Sequence, residues 1–241
     1  MSPDAIVVGS GPNGLAAAIV LARAGLRTVV REAGSTVGGG LRSAELTLPG
    51  YTHDVCSAVH PLALLSPFLS TLPLDQFGLE WVEPPAALAH PFDDGTAAVL
   101  ERSVDATAAA LGDGGPGWRR LMDPFVDRWS ELAHDVLAPP LRLPRSPLLM
   151  ARFALRAVRS AAGLARGLRS AHARALFAGN AAHSFLPLEA AGTGGVGLVL
   201  SVAGHAVGWP IARGGSQRIA DAMVGYFQSL GGEVFAGAPV E

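Results

Sequence analysis

The chain has 241 residues, of which 49% are hydrophobic and 16% charged, a balance that excludes a disordered or strongly solvated protein and allows one large domain or two small ones. A formal net charge of −2 argues against a nucleic-acid binder, whose footprint is basic overall. All 18 basic residues are arginine, and Cys56 is the only cysteine, so neither an internal disulfide nor dithiol chemistry exists within the chain. A lone cysteine of this kind reads as a small buried hydrophobe.

The first 43 residues are the most informative. Ala5 to Val8 form an apolar run of strand character, followed by Gly9-Ser10-Gly11-Pro12-Asn13-Gly14 and an Ala/Leu-rich helix through Ala24. In the βαβ dinucleotide unit the first glycine makes the strand-to-helix turn, the second lets a pyrophosphate approach bare backbone, and the third lets helix pack on strand. The phosphate then lies on unpaired N–H groups at the positive end of a helix. Gly25 ends the helix, Arg27 to Arg31 are predicted as a second strand, and Glu32 falls 18 residues after Gly14, where an acid can accept both ribose hydroxyls. Val37-Gly38-Gly39-Gly40-Leu41-Arg42-Ser43 follows almost at once, a second backbone nest with a guanidinium that reaches toward the same pyrophosphate.

From Tyr51 to about Ala212 the pattern is less regular and rich in proline, which predicts a separate domain inserted into the nucleotide fold. The boundaries are 1–52 and 213–241 for the nucleotide domain and 53–212 for the inserted one. Leu79 to Glu83 and Leu88 to Phe92 read as short strands, with Asp94-Gly95 before Thr96 to Leu100 as a hairpin signal. Ser103 to Leu111 reads as a capped helix and Trp118 to Leu137 as a longer one, ended by the Pro139-Pro140 break. No acid occurs between Asp135 and Glu189, whereas eight arginines do. On a helix from Leu148 to Arg169, Arg152, Arg156, Arg159, Arg166 and Arg169 share one side. Leu149, Met150, Phe153, Val158, Leu164 and Leu168 fall mostly on the other. Two readings stay open for it: a surface helix packed on its own domain, and peripheral contact with an anionic membrane.

The uncharged stretch Ala190 to Ala212 has the length of a membrane span, but its six glycines, His205 and Pro210 favour a buried segment lining an apolar cavity. No targeting sequence precedes the first strand, which predicts a cytoplasmic protein if bacterial. Near the end, Gln217 to Leu230 has helical periodicity, Gly231-Gly232 caps it, and Glu233 to Ala236 reads as a third parallel strand beside the second. No catalytic residue is assigned. His60, His183 and His205 read as hydrogen-bonded structural histidines, the adjacent Asp93 and Asp94 as a turn, and no metal site is predicted.

The opening fingerprint, the Gly38 to Ser43 cluster, Asp54-Val55-Cys56-Ser57-Ala58-Val59-His60-Pro61, and Gly208-Trp209-Pro210 before Arg213-Gly214-Gly215-Ser216 together resemble the phytoene-desaturase-like FAD oxidoreductases. The nearest branch is the group called pyridine nucleotide-disulfide oxidoreductase domain-containing protein 2, whose eukaryotic members are mitochondrial. The lone Cys56 gives its "disulfide" no support. The resemblance implies an α/β fold: a Rossmann-type FAD-binding βαβ domain, truncated, with an inserted, largely helical α+β substrate domain. It implies FAD as cofactor and hydride removal from an apolar or amphipathic small molecule, in the manner of a desaturase or dehydrogenase. Carried over by position, Gly9, Ser10, Gly11, Pro12, Asn13 and Gly14 hold the pyrophosphate, and Glu32 the adenosine ribose. Gly39, Gly40 and Arg42 lie toward the flavin, and the Val240 backbone meets the adenine. Gly214 and Gly215 serve the chain's return to the FAD domain. Relatives of this kind are about twice as long, and their C-terminal region adds a strand beside the first one. The reading therefore keeps as alternatives a nucleotide-binding module without turnover, and half of a split enzyme completed by a partner chain. Homo-oligomerisation stays open.

Overall fold

A computed structural model describes residues 2–137 and 142–241; the Pro139-Pro140 break lies outside them. In chain order the elements are β1 (Ala5–Val8), α1 (Pro12–Arg23), β2 (Thr28–Arg31), β3 (Ser43–Glu45), β4 (Thr52–Asp54), α2 (Pro61–Leu65), β5 (Trp81–Val82), β6 (Leu88–Pro91), β7 (Ala97–Leu100) and α3 (Val104–Ala110). They continue with α4 (Gly115–Val126), α5 (Trp129–Val136), α6 (Pro147–Ala157), α7 (Ala161–Ala165), α8 (Ala171–Ala181), α9 (Thr193–Ala206), β8 (Ile211–Ala212), α10 (Gln217–Ser229) and β9 (Glu233–Phe235). Two compact units emerge: Met1–His60 with Thr71–Val82 and Ile211–Glu241, and Pro61–Ser70 with Glu83–Pro210.

The first unit is built on a parallel sheet in the order β1-β2-β9, so the last strand lies beside the second, as its sequence predicts. Strand alternation divides the side chains: Thr28 and Val30 are buried beneath α1 and α10, which pack on each other, while Ile6, Val8 and Phe235 point to the opposite, exposed face. Helix α1 buries Leu15, Ala18 and Ile19, one stripe at helical spacing. Two small antiparallel pairs complete the unit, β3 with β4 and β5 with β8. The second pair corrects the strand predicted over Leu79 to Glu83, which shortens to Trp81–Val82 and takes Ile211–Ala212 as partner, not the segment next in sequence.

The second unit is mostly helical around α9, whose glycines admit close neighbours and whose Leu198 and Val202 are fully buried. Trp118, Phe125, Phe153, Leu176 and Phe177 belong to the same core. The predicted hairpin is present as β6–β7, turned by Gly95 at φ +83° and by Asp94, whose carboxylate accepts the Thr96 N–H at 2.9 Å.

Two predicted helices are divided in the structure. The Trp118 to Leu137 run becomes α4 and α5, interrupted at Asp127 and Arg128. The Leu148 to Arg169 run becomes α6 and α7, because Ser160 adopts extended backbone (ψ 148°) and its side chain caps Gly163 N–H. Most of the apolar stripe assigned to it is used internally: Leu149, Phe153, Leu164 and Leu168 are each buried in the unit's own core, whereas Val158 is exposed, as are Leu148 and Leu155 of α6. Among the described residues no helix is long and apolar enough to cross a membrane.

Candidate nucleotide-binding site

The turn from β1 into α1 has the shape that a dinucleotide phosphate requires. A Cβ on Gly14 would overlap the Gly9 carbonyl oxygen, so glycine there lets the helix start directly against the strand end. A Cβ placed on Gly11 meets nothing within 4 Å, so its backbone faces open space. Gly11 is the N-cap of α1, Pro12 occupies the first turn, no side chain caps that end and no acid lies in the first turn. The amides at this terminus are thus presented to an incoming anion, and a pyrophosphate fits the cradle.

Glu32, at the end of β2, holds the turn in place. Its Oε2 accepts the Ser10 hydroxyl at 2.6 Å and the Ser10 N–H at 2.9 Å, and its Oε1 accepts the Gly34 N–H at 2.8 Å. These bonds, the Ser10 hydroxyl foremost, hold its carboxyl below the ordinary range, with the Arg42 charge adding to the effect. A carboxylate offers about four lone-pair positions, so three donors leave room for one ribose hydroxyl, not the pair that the spacing predicts. Glu32 therefore fixes the phosphate turn and keeps one acceptor position free.

Ser10 passes the connection on to the second glycine cluster. The Gly38 N–H donates to both the Ser10 carbonyl (3.1 Å) and its hydroxyl (3.2 Å). Gly39 has φ +55°, and a Cβ on it would lie 2.9 Å from Gly11 Cα, so the two glycine segments are in contact through bare backbone. Arg42 is exposed, and its Nε donates to the Gly39 carbonyl at 3.0 Å. Val240, half exposed, follows a short extension in which Ala238 N–H donates to Glu32 O at 2.8 Å.

Sequence reasoning did not identify the network that fastens this second cluster. Asp54 Oδ1 accepts the Ser43 hydroxyl at 2.6 Å and the Ser216 N–H at 2.7 Å, while Ser43 Oγ accepts the Gln217 N–H at 3.0 Å. The Gln217 side chain donates to Val37 O at 3.2 Å. The start of α10 is thereby bonded to both flanks of the Gly38–Arg42 segment. The signal available was the recurrence of short polar side chains beside each glycine doublet.

Two of the three histidines are held in buried hydrogen-bond networks. The buried Ser216 hydroxyl donates to Ser57 O at 2.6 Å, so the 2.7 Å contact with His60 Nε2 has histidine as donor, and the serine is not poised as a nucleophile. Burial pushes the His60 pKa down. His205 Nε2 accepts from Trp118 Nε1 at 3.0 Å, which leaves Nδ1–H to face Arg102 O at 3.3 Å; burial lowers this pKa too. His183 is exposed, with Nδ1 3.3 Å from Gly179 O. Cys56 departs from its predicted burial: it is exposed in the bend after β4, on the flank of Gly40. Among the described residues no cluster of His, Cys, Asp or Glu could hold a metal ion.

On the second unit lies an apolar cavity of about 620 Å³ that opens widely to the surface, lined by Phe153, Val158 and His183 and, from α9, by Gly195, Val199 and Leu200. The Ala190 to Ala212 stretch thus does line an apolar cavity.

Comparison with known proteins agrees with this geometry. Residues 7–65 match the family of NAD(P)-binding Rossmann-like domains. Pyridine nucleotide-disulfide oxidoreductase domain-containing protein 2 of Mus musculus is 36% identical over 103 residues, covering 42% of this chain and 17% of that one. Hydroxyneurosporene desaturase of Rhodobacter capsulatus is 32% identical over 146 residues, covering 57% of this chain and 29% of that one. Among solved structures, a redesigned triple mutant of putrescine oxidase superposes with a TM-score of 0.58 at 23% identity, covering 99% of this chain and 51% of that one. The resemblance to phytoene-desaturase-like oxidoreductases is borne out by these relatives, and the Rossmann-type fold by the solved structures. The chain spans about half the length of the oxidase, and its matches cover less than a third of the two named relatives.

Proposed function

We propose that this dinucleotide-binding chain is part of a flavin-dependent oxidoreductase that holds FAD and removes hydride from an apolar or amphipathic small molecule. The observation that carries the reading is the direct contact of two glycine segments, Gly9–Gly14 and Gly38–Gly40, tied through Glu32 and Ser10. A single phosphate turn serves any dinucleotide, whereas a second nest with Arg42 beside it suits the longer path of FAD. Gly11 and the start of α1 receive the pyrophosphate, Arg42 offsets its charge, and the remaining acceptor position of Glu32 orients the ribose. The carboxylate there disfavours a 2′-phosphate. When bound, FAD supplies the hydride acceptor, so the chain needs no strong acid–base pair. The apolar cavity of the second unit, with His183 as its one titratable lining group, supports the proposed substrate class.

The test is an absorbance spectrum of the purified chain after incubation with FAD and desalting. Retained visible flavin bands, weakened in Ser10→Ala, are the expected result. A colourless wild-type protein that also shows no FAD-dependent rise in thermal midpoint refutes cofactor binding by this chain alone. Recovery of those bands on co-expression with the C-terminal half of a relative would identify the chain as half of a split enzyme, a reading that the bare face of the β1-β2-β9 sheet favours.

A further inference from the structure

A small concavity of about 180 Å³ in the second unit is lined by Arg120 of α4 and by Arg156 and Arg159 at the end of α6, with Gly117 and Gly167 at its base. The glycines explain how these arginines meet. A Cβ on Gly117 would lie 2.8 Å from the Gly167 carbonyl oxygen, so α4 can approach the turn after α7 only because residue 117 has no side chain. Arg120, one helical turn further along, is thereby brought to the same pocket as Arg156 of α6 and Arg159 just beyond it.

The charge at this place has no internal counterpart. Among the described residues the ion pairs use other arginines, and none of Arg120, Arg156 and Arg159 joins one. The segment carrying two of them is free of acids from residue 136 to residue 188. Two of the three side chains are nonetheless held. Arg156 lies over the Phe125 ring at 5.5 Å and donates to Arg152 O at 3.0 Å, while Arg159 reaches Gly163 O at 3.4 Å. Each guanidinium has five N–H donors, so most of them stay available. At the end of α6 the Gly192 and Gly194 N–H groups donate to Val158 O and Arg159 O, which leaves fewer bare carbonyls there. Burial and the neighbouring Arg152 and Arg159 charges push the Arg156 pKa below its ordinary value, a penalty that a bound anion would relieve.

We infer that the Arg120–Arg156–Arg159 pocket is a binding site for a phosphate group. Three forked cations around a cavity of this size match a tetrahedral oxyanion with several acceptor oxygens and more than one charge better than they match a carboxylate. The group can come from soluble phosphate or from the headgroup of an anionic lipid. The lipid source would place the basic face of α6 at a membrane surface while Leu149 and Phe153 stay in the core. This site is independent of the nucleotide site and of the proposed hydride chemistry.

The experiment titrates the full chain, without flavin, with inorganic phosphate by calorimetry, and separately with phosphatidylglycerol–phosphatidylcholine vesicles by flotation. The same is done with R120Q/R159Q, which leaves Arg156 on Phe125, and with R166Q/R169Q, which removes equal charge outside the pocket, each first matched to wild type by thermal midpoint. Binding in either arm should weaken by about tenfold or more in R120Q/R159Q, as loss of charge-assisted hydrogen bonds requires, and persist in R166Q/R169Q. Phosphate binding assigns the soluble source, and vesicle binding alone assigns the headgroup. Absence of binding in both arms, or equal weakening by the two double variants, overturns the inference.

Discussion

Ser10 shows how much one short side chain can organise. Its N–H and hydroxyl both bind Glu32, and its carbonyl and hydroxyl receive Gly38 N–H, so a single residue joins the phosphate turn, the acid after β2 and the second nest. At a buried site such as Ser10 these bonds are made without competition from water, and a removed partner leaves a donor or acceptor unsatisfied. His205 shows the same logic in the second unit. With Nε2 accepting from Trp118 and Nδ1–H facing Arg102 O, protonation would set one N–H against another, and burial independently disfavours the charged ring. Its folded pKa is therefore depressed below the unfolded value, and the unfolded chain binds the extra proton. The stability it contributes is complete above about pH 6.5 and is lost as pH falls through the folded value. In urea titrations, stability should fall from neutral pH toward pH 5 by at most about 1.4 kcal/mol per pH unit for this one proton. His205→Gln should flatten the slope, leaving the share due to His60 and His90. An unchanged slope in the variant would show that His205 is not the titrating group.

At the scale of elements, the informative events are interruptions. The apolar positions from Leu149 to Leu168 keep helical spacing, yet the chain breaks at Ser160, because that serine spends its side chain on Gly163 N–H and Ala161 N–H is taken by the buried Thr193 hydroxyl at 2.8 Å. Two short helices and the turn after them then bury Leu149, Phe153, Leu164 and Leu168 in one core. Ser160→Ala should cost about 1 kcal/mol, the usual loss for an N-cap serine, read as a lower thermal midpoint with little change in the far-ultraviolet spectrum. A variant as stable as wild type would mean that Thr193 alone sets the break. Periodicity could not reveal this, since the partner that competes for the backbone lies more than 30 residues away in sequence. For the same reason the β5–β8 pair was invisible: Trp81 and Ala212 are brought together by tertiary structure, and neither two-residue strand has a pattern of its own. What was legible is local. Glycine spacing fixed the β1–α1 turn, the Asp94-Gly95 turn marked its hairpin, and the apolar stripe of α10 placed β9 after it.

The largest feature left open at the scale of the molecule is the sheet of the first unit. Parallel sheets are normally covered on both faces, because their connections put helices there. Here α1 and α10 cover one face, and the other presents Ile6 (56% exposed), Val8 (66%) and Phe235 (45%), with β1 forming an edge. On this face Arg31 lies between Val8 and Phe235 and Glu233 beside Val29, so the apolar patch is concentrated along β1, at Ile6 and Val8, with Val29 next to it. Solved structures with this fold run to about twice the length matched here, and an additional polypeptide segment of that kind has the chemistry to cover the face: backbone to pair with β1 and apolar side chains to meet Ile6 and Val8. Without such a segment the face should drive self-association. Size-exclusion chromatography with light scattering on the 241-residue chain should show a mass that rises with concentration. Ile6→Lys puts a charge at the middle of the edge strand, a device by which natural sheets block edge-to-edge pairing. Because the side chain is exposed, the change should alter folding stability by less than about 0.5 kcal/mol. The variant should therefore run closer to monomer at the same thermal midpoint. Equal association of the variant and wild type would place the adhesive surface elsewhere. A large loss of stability in Ile6→Lys would show that the face is already covered within the chain.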